Sequence, residues 1–266
     1  MNYYAQYYLQ QLKTVTAFML QYRAALGIWM IGHVMEPLVY MIVWAAVASG
    51  GGSTGDYTPR GFAAYFIVMM LVNHATYSWI MYEHEYRVRH GSFSYSLLRP
   101  VHPIHSDLSD NLASKVVTLP IILAAAGVLA AVFHPDLHPP LWAAALFLPS
   151  VFLAFLLRFL MEWTLAMAAF WTTRVEAANQ MYFMLLLFLS GQLAPLELFP
   201  ALVRALAAVL PFRWMLSFPV ELLLGRLTPA EALTGLLIQG VWIAAVLGLM
   251  RGVYRAGVKL YTAVGA

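Results

Sequence analysis

Four polar side chains interrupt the first two long apolar stretches of the chain. Glu36 and His33 are three residues apart, so they lie on the same side of a helix. Asn73 and His74 lie at a similar depth in the second stretch. An ionisable group at the centre of a bilayer costs roughly 2.5–3.5 kcal/mol on insertion scales, and such groups usually have a function. We expect Glu36 and His33 to contact Asn73 or His74 inside the protein, either to pack the helices together or to line a transport path.

A second charged pair lies in the fourth apolar stretch. Arg158 and Glu162 are four residues apart, a spacing that lets them pair on one helix face. Counting about 20 residues from Leu141 reaches the far edge of a bilayer. We therefore expect this pair to lie at the membrane boundary, with both charges extended toward water.

Two groups of histidines raise the question of a metal site. They are His102 and His105 with Asp107, and His134 and His138 with Asp136. Both groups lie among prolines in short loops, and neither has a third ligand at a convincing spacing, so we predict no metal site. The nucleophile pattern Gly-x-Ser-x-Gly is absent, and the chain has no cysteine. A membrane enzyme therefore has little support.

Nucleotide hydrolysis by this chain is also excluded. The phosphate-binding pattern Gly-x-x-x-x-Gly-Lys-Ser/Thr does not occur, and none of the three lysines, Lys13, Lys115 and Lys259, lies in such a loop. We predict that the chain binds no nucleotide cofactor.

Long apolar helices must position these residues. The 266 residues are 62% hydrophobic and 10% charged, whereas soluble domains are about 25% charged. Crossing about 30 Å of hydrocarbon takes about 20 helical residues. The sequence therefore predicts an all-α membrane protein, a single domain over residues 1–266, surrounded by lipids. Six transmembrane helices are expected at residues 26–48, 61–82, 112–133, 141–171, 178–196 and 233–254. The aromatic residues suit helix packing and membrane interfaces, so no nucleic-acid partner is expected.

The first 22 residues show helical amphipathicity. Tyrosine and apolar residues recur on one side, namely Tyr4, Tyr8, Leu12, Val15 and Met19. Polar residues line the other side, namely Asn2, Gln6, Gln10 and Lys13. Because tyrosine prefers the headgroup level, we predict a helix lying flat on the membrane surface over residues 1–22. A helical extension of the first span is the alternative.

Residues 195–228 are apolar but rich in proline. Pro195, Pro200, Pro211 and Pro219 exclude a straight spanning helix. We predict an external re-entrant segment made of half-helices between the fifth and sixth spans, with its free backbone groups bound by protein or water.

The distribution of lysine and arginine predicts how the chain is oriented in the membrane, because both residues are enriched on the cytoplasmic side of membrane proteins. With the N-terminus inside, the cytoplasmic cations are Lys13, Arg23, Arg87, Arg89, Arg99, Lys115, Arg174, Arg251, Arg255 and Lys259. The external cations are Arg60, Arg204, Arg213 and Arg226. We therefore predict that both termini are cytoplasmic.

Residues 83–100 join the second and third spans on the predicted cytoplasmic side. Charges cluster in the first half, namely Glu83, Glu85, Arg87 and Arg89. Aromatic and apolar residues follow, namely Phe93, Tyr95, Leu97 and Leu98. Such a segment can rest on the inner leaflet and present its charged end to a soluble partner. Composition alone favours a solvated loop of mixed charge.

Three motifs, taken in order, resemble the permease subunits of type-2 ABC exporters. The first is Gly91 followed by Leu97-Leu98-Arg99-Pro100, which is similar to the coupling region of that family. The second contains Gly191, Pro195, Pro200 and Pro211, and it resembles the family's external re-entrant hairpin. The third is the basic, glycine- and tyrosine-containing segment at residues 254–265.

The resemblance implies a permease of the plasma membrane that works with a separate cytoplasmic ABC ATPase. ATP and Mg would bind that partner and not this chain. The permease would dimerise, with a second copy or with a non-identical permease, and substrate would leave the cell along the dimer interface. The ATPase-coupling residues would be Glu83, Glu85, Arg87, Arg89, Gly91, Leu97, Leu98, Arg99 and Pro100. A secondary transporter or channel that works alone is the alternative.

Overall fold

A computed structural model describes residues 3–52, 54–172 and 175–261. Every regular element in these ranges is helical. The helices are α1 (Tyr3–Gln21), α2 (Arg23–Ser49), α3 (Pro59–Thr76), α4 (Ile80–Arg89), α5 (Phe93–Leu97), α6 (Pro103–Phe133), α7 (Leu141–Ala166), α8 (Glu176–Leu189), α9 (Ala201–Val209), α10 (Phe212–Met215), α11 (Ser217–Leu223) and α12 (Pro229–Val258). Asn2, Arg174 and residues 262–265 of the sequence motifs lie outside the described residues.

Five helical units among the described residues are long and apolar enough to cross a membrane. They are Arg23–Ser49, Pro59–Arg89, Pro103–Phe133, Leu141–Phe170 and Pro229–Val258. The prediction of an all-α membrane protein is therefore confirmed. The predicted fifth span, residues 178–196, overlaps the 14-residue helix α8, which ends at Leu189. At 1.5 Å per residue this helix is about 21 Å long, short of the hydrocarbon thickness, so six spans remain a prediction.

Local sequence explains where the long helices begin. Proline occupies the first helical position of α3, α6 and α12, where a missing N–H costs nothing. Thr58 and Thr228 precede two of them, and their side chains accept hydrogen bonds from the first turn. Thr228 and Glu231 form a complete capping box. These signals fix the helix starts without help from the rest of the fold.

The second predicted span is not one helix. α3 ends at Thr76, residues 77–79 are not helical, and α4 begins at Ile80. No proline or glycine occurs at this break. By contrast, α2, α6 and α7 each contain an internal proline and continue past it. Tertiary contacts, and not local sequence, must therefore stabilise the break.

α3 is the central helix, and nearly all of it is buried. It packs against α2, α6, α7 and α11, while α12 packs along α7. The largest buried side chains of α3 include Phe62, Tyr65 and Phe66. The protein is thus a bundle built around α3, with its outer helices exposing apolar side chains to the lipid.

α1 packs along α6. Tyr8 Oη lies 3.0 Å from Nδ1 of His105, and Gln11 donates a hydrogen bond of 2.9 Å to Asp110. The half-buried side of α1 includes Leu12, Val15 and Met19 from the predicted apolar face. The predicted position of α1 on the membrane surface stays a prediction.

The proline-rich segment folds into three short helices, α9, α10 and α11. Its backbone is bound by neighbours: Gln239 of α12 donates to the Trp214 carbonyl at 2.9 Å. Arg213 and Glu221 form an ion pair of 2.7 Å within the segment. Short helices are therefore present in this segment, and their role as re-entrant half-helices in the membrane stays a prediction.

We expect Gly235→Ala to destabilise the protein. A Cβ at this position of α12 would lie 2.1 Å from the ring of Phe218 in α11. Overpacking of this kind costs about 1–3 kcal/mol, so the thermal unfolding temperature in detergent should fall.

Gly240→Ala is the matched control in the same helix. A Cβ there has no neighbour within 4 Å. Alanine favours helices over glycine, so this variant should unfold at the same temperature as the wild type or slightly higher. Equal unfolding temperatures for the two variants would contradict the packing of α11 on α12.

Candidate functional site

The break between α3 and α4 exposes backbone carbonyls in an apolar interior, where unbound polar groups are costly. Lys115 of α6 binds two of them: its Nζ donates to the carbonyl of His74 at 3.1 Å and to that of Tyr77 at 2.7 Å. A cation is also favoured at the C-terminus of a helix by the helix dipole. Lys115 thus caps α3 from a neighbouring helix.

Arg158 of α7 binds the same helix end from another side. Its Nη1 donates to Asn73 Oδ1 at 2.8 Å and to Thr76 Oγ1 at 3.1 Å. Its Nε forms an ion pair of 2.8 Å with Glu162. The carboxylate of Glu162 also accepts hydrogen bonds from Ser78 and, at 3.2 Å, from Tyr182 of α8. We call Asn73, Thr76, Ser78, Lys115, Arg158 and Glu162 the junction network.

Two sequence expectations fail at the junction network. Arg158 and Glu162 pair as predicted, but their charges do not extend toward water. Their side chains are only 2% and 0% exposed, because both face the α3–α4 break. Lys115, which was counted among the cytoplasmic cations, is buried inside the bundle for the same reason. Sequence alone gave no sign of the break that these charges bind.

The first predicted polar cluster divides into two. The rings of His33 and His74 meet edge to face, with centroids 5.0 Å apart, so this predicted contact is confirmed. His74 Nε2 lies 2.9 Å from the hydroxyl of Thr118. Glu36 instead accepts a hydrogen bond of 2.9 Å from Gln192, in the segment that follows α8. Within the described residues, no hydrogen bond joins Glu36 to Asn73 or His74, so that part of the prediction is wrong.

Two cavities lie on either side of the α3–α4 junction. The larger, of about 530 Å³, lies between α2, the junction and α8, and we call it the Glu36 cavity. Its lining includes Trp29, Glu36, Tyr40, Asn73, Tyr77, Trp79 and Arg158. The smaller, of about 300 Å³, lies toward α1 and α6 and includes Lys115. Both volumes fall within the range of small-molecule binding sites.

The predicted coupling segment is a compact helix–turn–helix. α4 and α5 are joined at Gly91, whose φ of +69° suits glycine. Tyr261 donates a hydrogen bond of 2.9 Å to the Gly91 carbonyl. Two motifs that were found separately in the sequence, the coupling region and the C-terminal segment, therefore meet in the structure.

A buried carboxylate fastens α4 to the bundle. Asp107 of α6 forms an ion pair of 2.7 Å with Arg87 and accepts a hydrogen bond of 2.8 Å from Trp163 of α7. His84 Nδ1 lies 3.8 Å from the same carboxylate. Arg87, predicted as a coupling cation, is thus directed inward. Sequence analysis missed Asp107 and Trp163, and the only signal was the isolated Asp107, which had been assigned to a weak metal group.

The remaining coupling residues differ in exposure. Glu83, Arg89, Leu98, Arg99 and Pro100 are exposed, whereas Glu85, Gly91 and Leu97 are half-buried. Two tyrosines of the segment, Tyr86 and Tyr95, are 61% and 72% exposed, and Leu98 is 83% exposed. The segment therefore presents an apolar and aromatic surface as well as charges.

Of the predicted hairpin residues, Gly191, Pro195 and Pro200 lie between α8 and α9, and Pro211 lies between α9 and α10. Gly191 has a φ of +82°, and a Cβ there would lie 2.6 Å from the hydroxyl of Tyr65. That hydroxyl donates a hydrogen bond of 2.8 Å to the Gly191 carbonyl. Pro195, Pro200 and Pro211 each stand immediately before a short helical turn or helix. Glycine is thus required here by both conformation and space.

We expect Glu162→Leu to destabilise the protein severely. The change leaves Arg158 as a buried cation without its carboxylate, a loss that typically costs about 3–5 kcal/mol. Thermal unfolding in detergent measures the effect. The double variant Arg158→Met/Glu162→Leu should recover part of the loss, because both buried charges are removed together.

Glu197→Leu is the control for this experiment. Glu197 pairs with Arg226 at 3.0 Å but is half exposed, so losing that pair should cost about 0–1 kcal/mol. A Glu162→Leu variant as stable as the control would contradict the proposed importance of the buried pair.

Comparison with known proteins agrees with the order of motifs along the chain. A family model described as ABC-2 family transporter protein matches residues 34–265, which include α3 to α12, the junction network, the coupling segment and the hairpin. No curated protein matches the chain. The family match confirms the resemblance found in the sequence, and the chain belongs to the ABC-2 family of transporter proteins, as a membrane permease component.

Proposed function

We propose that this chain is the permease subunit of an ATP-driven exporter in the plasma membrane. It pairs with a second permease, identical or not, and each coupling segment docks on a separate cytoplasmic ABC ATPase. The family match supports the permease role. One observation carries the rest of the proposal. The coupling segment includes α4, and α4 begins at the junction beside both cavities.

α4 is suited to transmit movement from the ATPase. Its ten residues form a rod about 15 Å long, with the coupling turn at one end and the junction at the other. Glu83 and Arg87, and Glu85 and Arg89, pair along its surface at 3.7 and 3.5 Å. A displacement of the docked segment would therefore shift Trp79, which precedes α4 and lines both cavities. ATP hydrolysis on the partner would in this way alter the space available to substrate.

The exposed surface of the coupling segment suits a protein partner. Tyr86, Tyr95 and Leu98 project from it, with Arg89 and Arg99 beside them in the sequence. Aromatic residues and arginine are the types enriched in protein interfaces. In the proposed orientation in the membrane, the coupling segment and both termini lie in the cytoplasm.

The second permease is expected to cover the face formed by α2 and α8. α2 exposes Met35, Val39 and Ile42, and α8 exposes Met184 and Phe188. Glu36 is exposed on the same side of α2. Because a carboxylate facing lipid is costly, a partner at this face would enclose Glu36 and the cavity and form the transport path.

We expect a cytoplasmic ATPase to co-purify with the intact chain in mild detergent and to be lost from the variant Tyr95→Arg/Leu98→Arg. The two substitutions place charge in the exposed apolar surface and leave the buried Arg87–Asp107 pair intact. Mass spectrometry identifies the retained chains, and ATP hydrolysis is assayed on the same sample.

The control variant is Asp56→Arg/Asp136→Arg, which changes charge in exposed loops on the opposite side of the bundle. It should retain the ATPase. A wild-type chain that purifies folded and without any ATPase would overturn the proposal and favour a secondary transporter or channel.

A cysteine scan tests the dimer. The chain has no native cysteine, so single substitutions at Met35, Val39, Ile42 and Met184 can be cross-linked by oxidation without background. We expect at least one of them to give a cross-linked pair, because disulfides form only where Cα atoms lie within about 7 Å.

Leu148→Cys on α7, which is equally exposed to lipid, should remain monomeric. A product joining two copies indicates a homodimer, and a product with another chain indicates a heterodimer. Cross-linking at Leu148 alone would show that the partner covers a different face.

A further inference from the structure

We infer that the Glu36 cavity binds amphipathic organic cations, and that such cations are the substrate class of this permease. The second part of the inference rests on the proposed function. The first part rests on the cavity itself, which combines a carboxylate without a cationic partner, a wall of aromatic rings and an apolar floor.

The carboxylate of Glu36 is held in place by a neutral group. Gln192 donates a hydrogen bond to it at 2.9 Å, and Tyr40, one turn further along α2, lines the same cavity. None of the ion pairs within residues 3–52, 54–172 and 175–261 includes Glu36. The side chain is therefore oriented while its negative charge remains uncompensated.

The cations near the cavity are already bound elsewhere. Arg158 contributes to the lining, but it is ion-paired with Glu162 at 2.8 Å and donates to Asn73. Lys115 lines the other cavity and donates to backbone carbonyls. The free charge on the wall of the Glu36 cavity is thus negative, which favours a positively charged ligand and disfavours an anionic one.

Aromatic rings provide the second element of cation recognition. Trp29 and Trp79 meet edge to face with centroids 5.5 Å apart, and Tyr77 lies beside them in the lining. The faces of such rings attract cations. Tyr77 already makes one such contact, because the guanidinium carbon of Arg158 lies 5.6 Å from the centroid of its ring.

The size and lining of the cavity favour an organic cation over a metal ion. A volume of about 530 Å³ is that of a drug-sized ligand. Phe183, Leu186 and Leu187 of α8 supply apolar contact for the body of such a molecule. A hard metal ion needs several oxygen ligands, whereas Glu36 is the only carboxylate among the lining residues.

Tetraphenylphosphonium and tetraphenylborate test the inference, because they have the same shape and opposite charge. Equilibrium binding of each ion is measured on the purified full chain in detergent, without ATPase or ATP. We expect the phosphonium to bind at least about tenfold more tightly than the borate, the ratio that a modest charge preference produces. Equal binding of the two ions would show an apolar cavity without charge selection and would overturn the inference.

Glu36→Gln identifies the charge responsible. This variant keeps an oxygen that can accept from Gln192 and should weaken phosphonium binding about tenfold while leaving borate binding equal or stronger. Asp56→Asn removes an exposed carboxylate outside the cavity and should change neither. An unchanged phosphonium affinity in Glu36→Gln would also overturn the inference.

The wild-type comparison of the two ions needs no variant, so a poorly folded Glu36→Gln does not remove the test. The result is also separate from the ATPase pull-down. Failure of cation binding with a co-purifying ATPase would reject the substrate class alone. Cation binding by a chain that has no ATPase partner would retain the site and reject the proposed exporter.

Discussion

Two buried cations bound to the free end of α3 are the interaction on which the rest of the structure depends. A helix that stops in an apolar interior leaves carbonyls unbound, and such a break is tolerated only where neighbours supply donors. Lys115 of α6 supplies them, and Arg158 of α7 binds the side chains of Asn73 and Thr76 at the same helix end. Because an unpaired buried charge is itself costly, Glu162 must accompany Arg158. The break, the cations and the carboxylate therefore stabilise one another.

This network also joins the parts of the protein that its function requires. Through the bond from Ser78 to Glu162 it fixes the residues just before α4, and the Glu36 cavity lies directly beside it. Asp107 holds the other part of α4 through Arg87, so α4 is bound to the bundle at two points. The proposed coupling of ATP hydrolysis to transport rests on this fixed α4, which lies between the exposed turn at Gly91 and the Glu36 cavity.

Local patterns predicted much of this architecture. Apolar stretches indicated the long helices, and the prolines of residues 195–228 indicated short ones. The spacing of Arg158 and Glu162 predicted their pairing, and the His33–His74 contact followed from their similar depth. The expected exposure of the charged pair to water was wrong, and Lys115 is buried as well, since depth counted along one helix does not report which neighbour the side chain meets. The length of α8 was also overestimated.

The sequence by itself determined that this is an α-helical membrane protein and that its motifs follow the order of a type-2 ABC permease. These properties depend on composition and on residues near one another in the chain. Only the tertiary structure decided that the second span is broken, that Arg87 faces Asp107 and that Glu36 faces a cavity beside Gln192. Each of these features depends on residues from separate helices. The contacts stabilise the fold only when packing brings a donor and an acceptor together away from water.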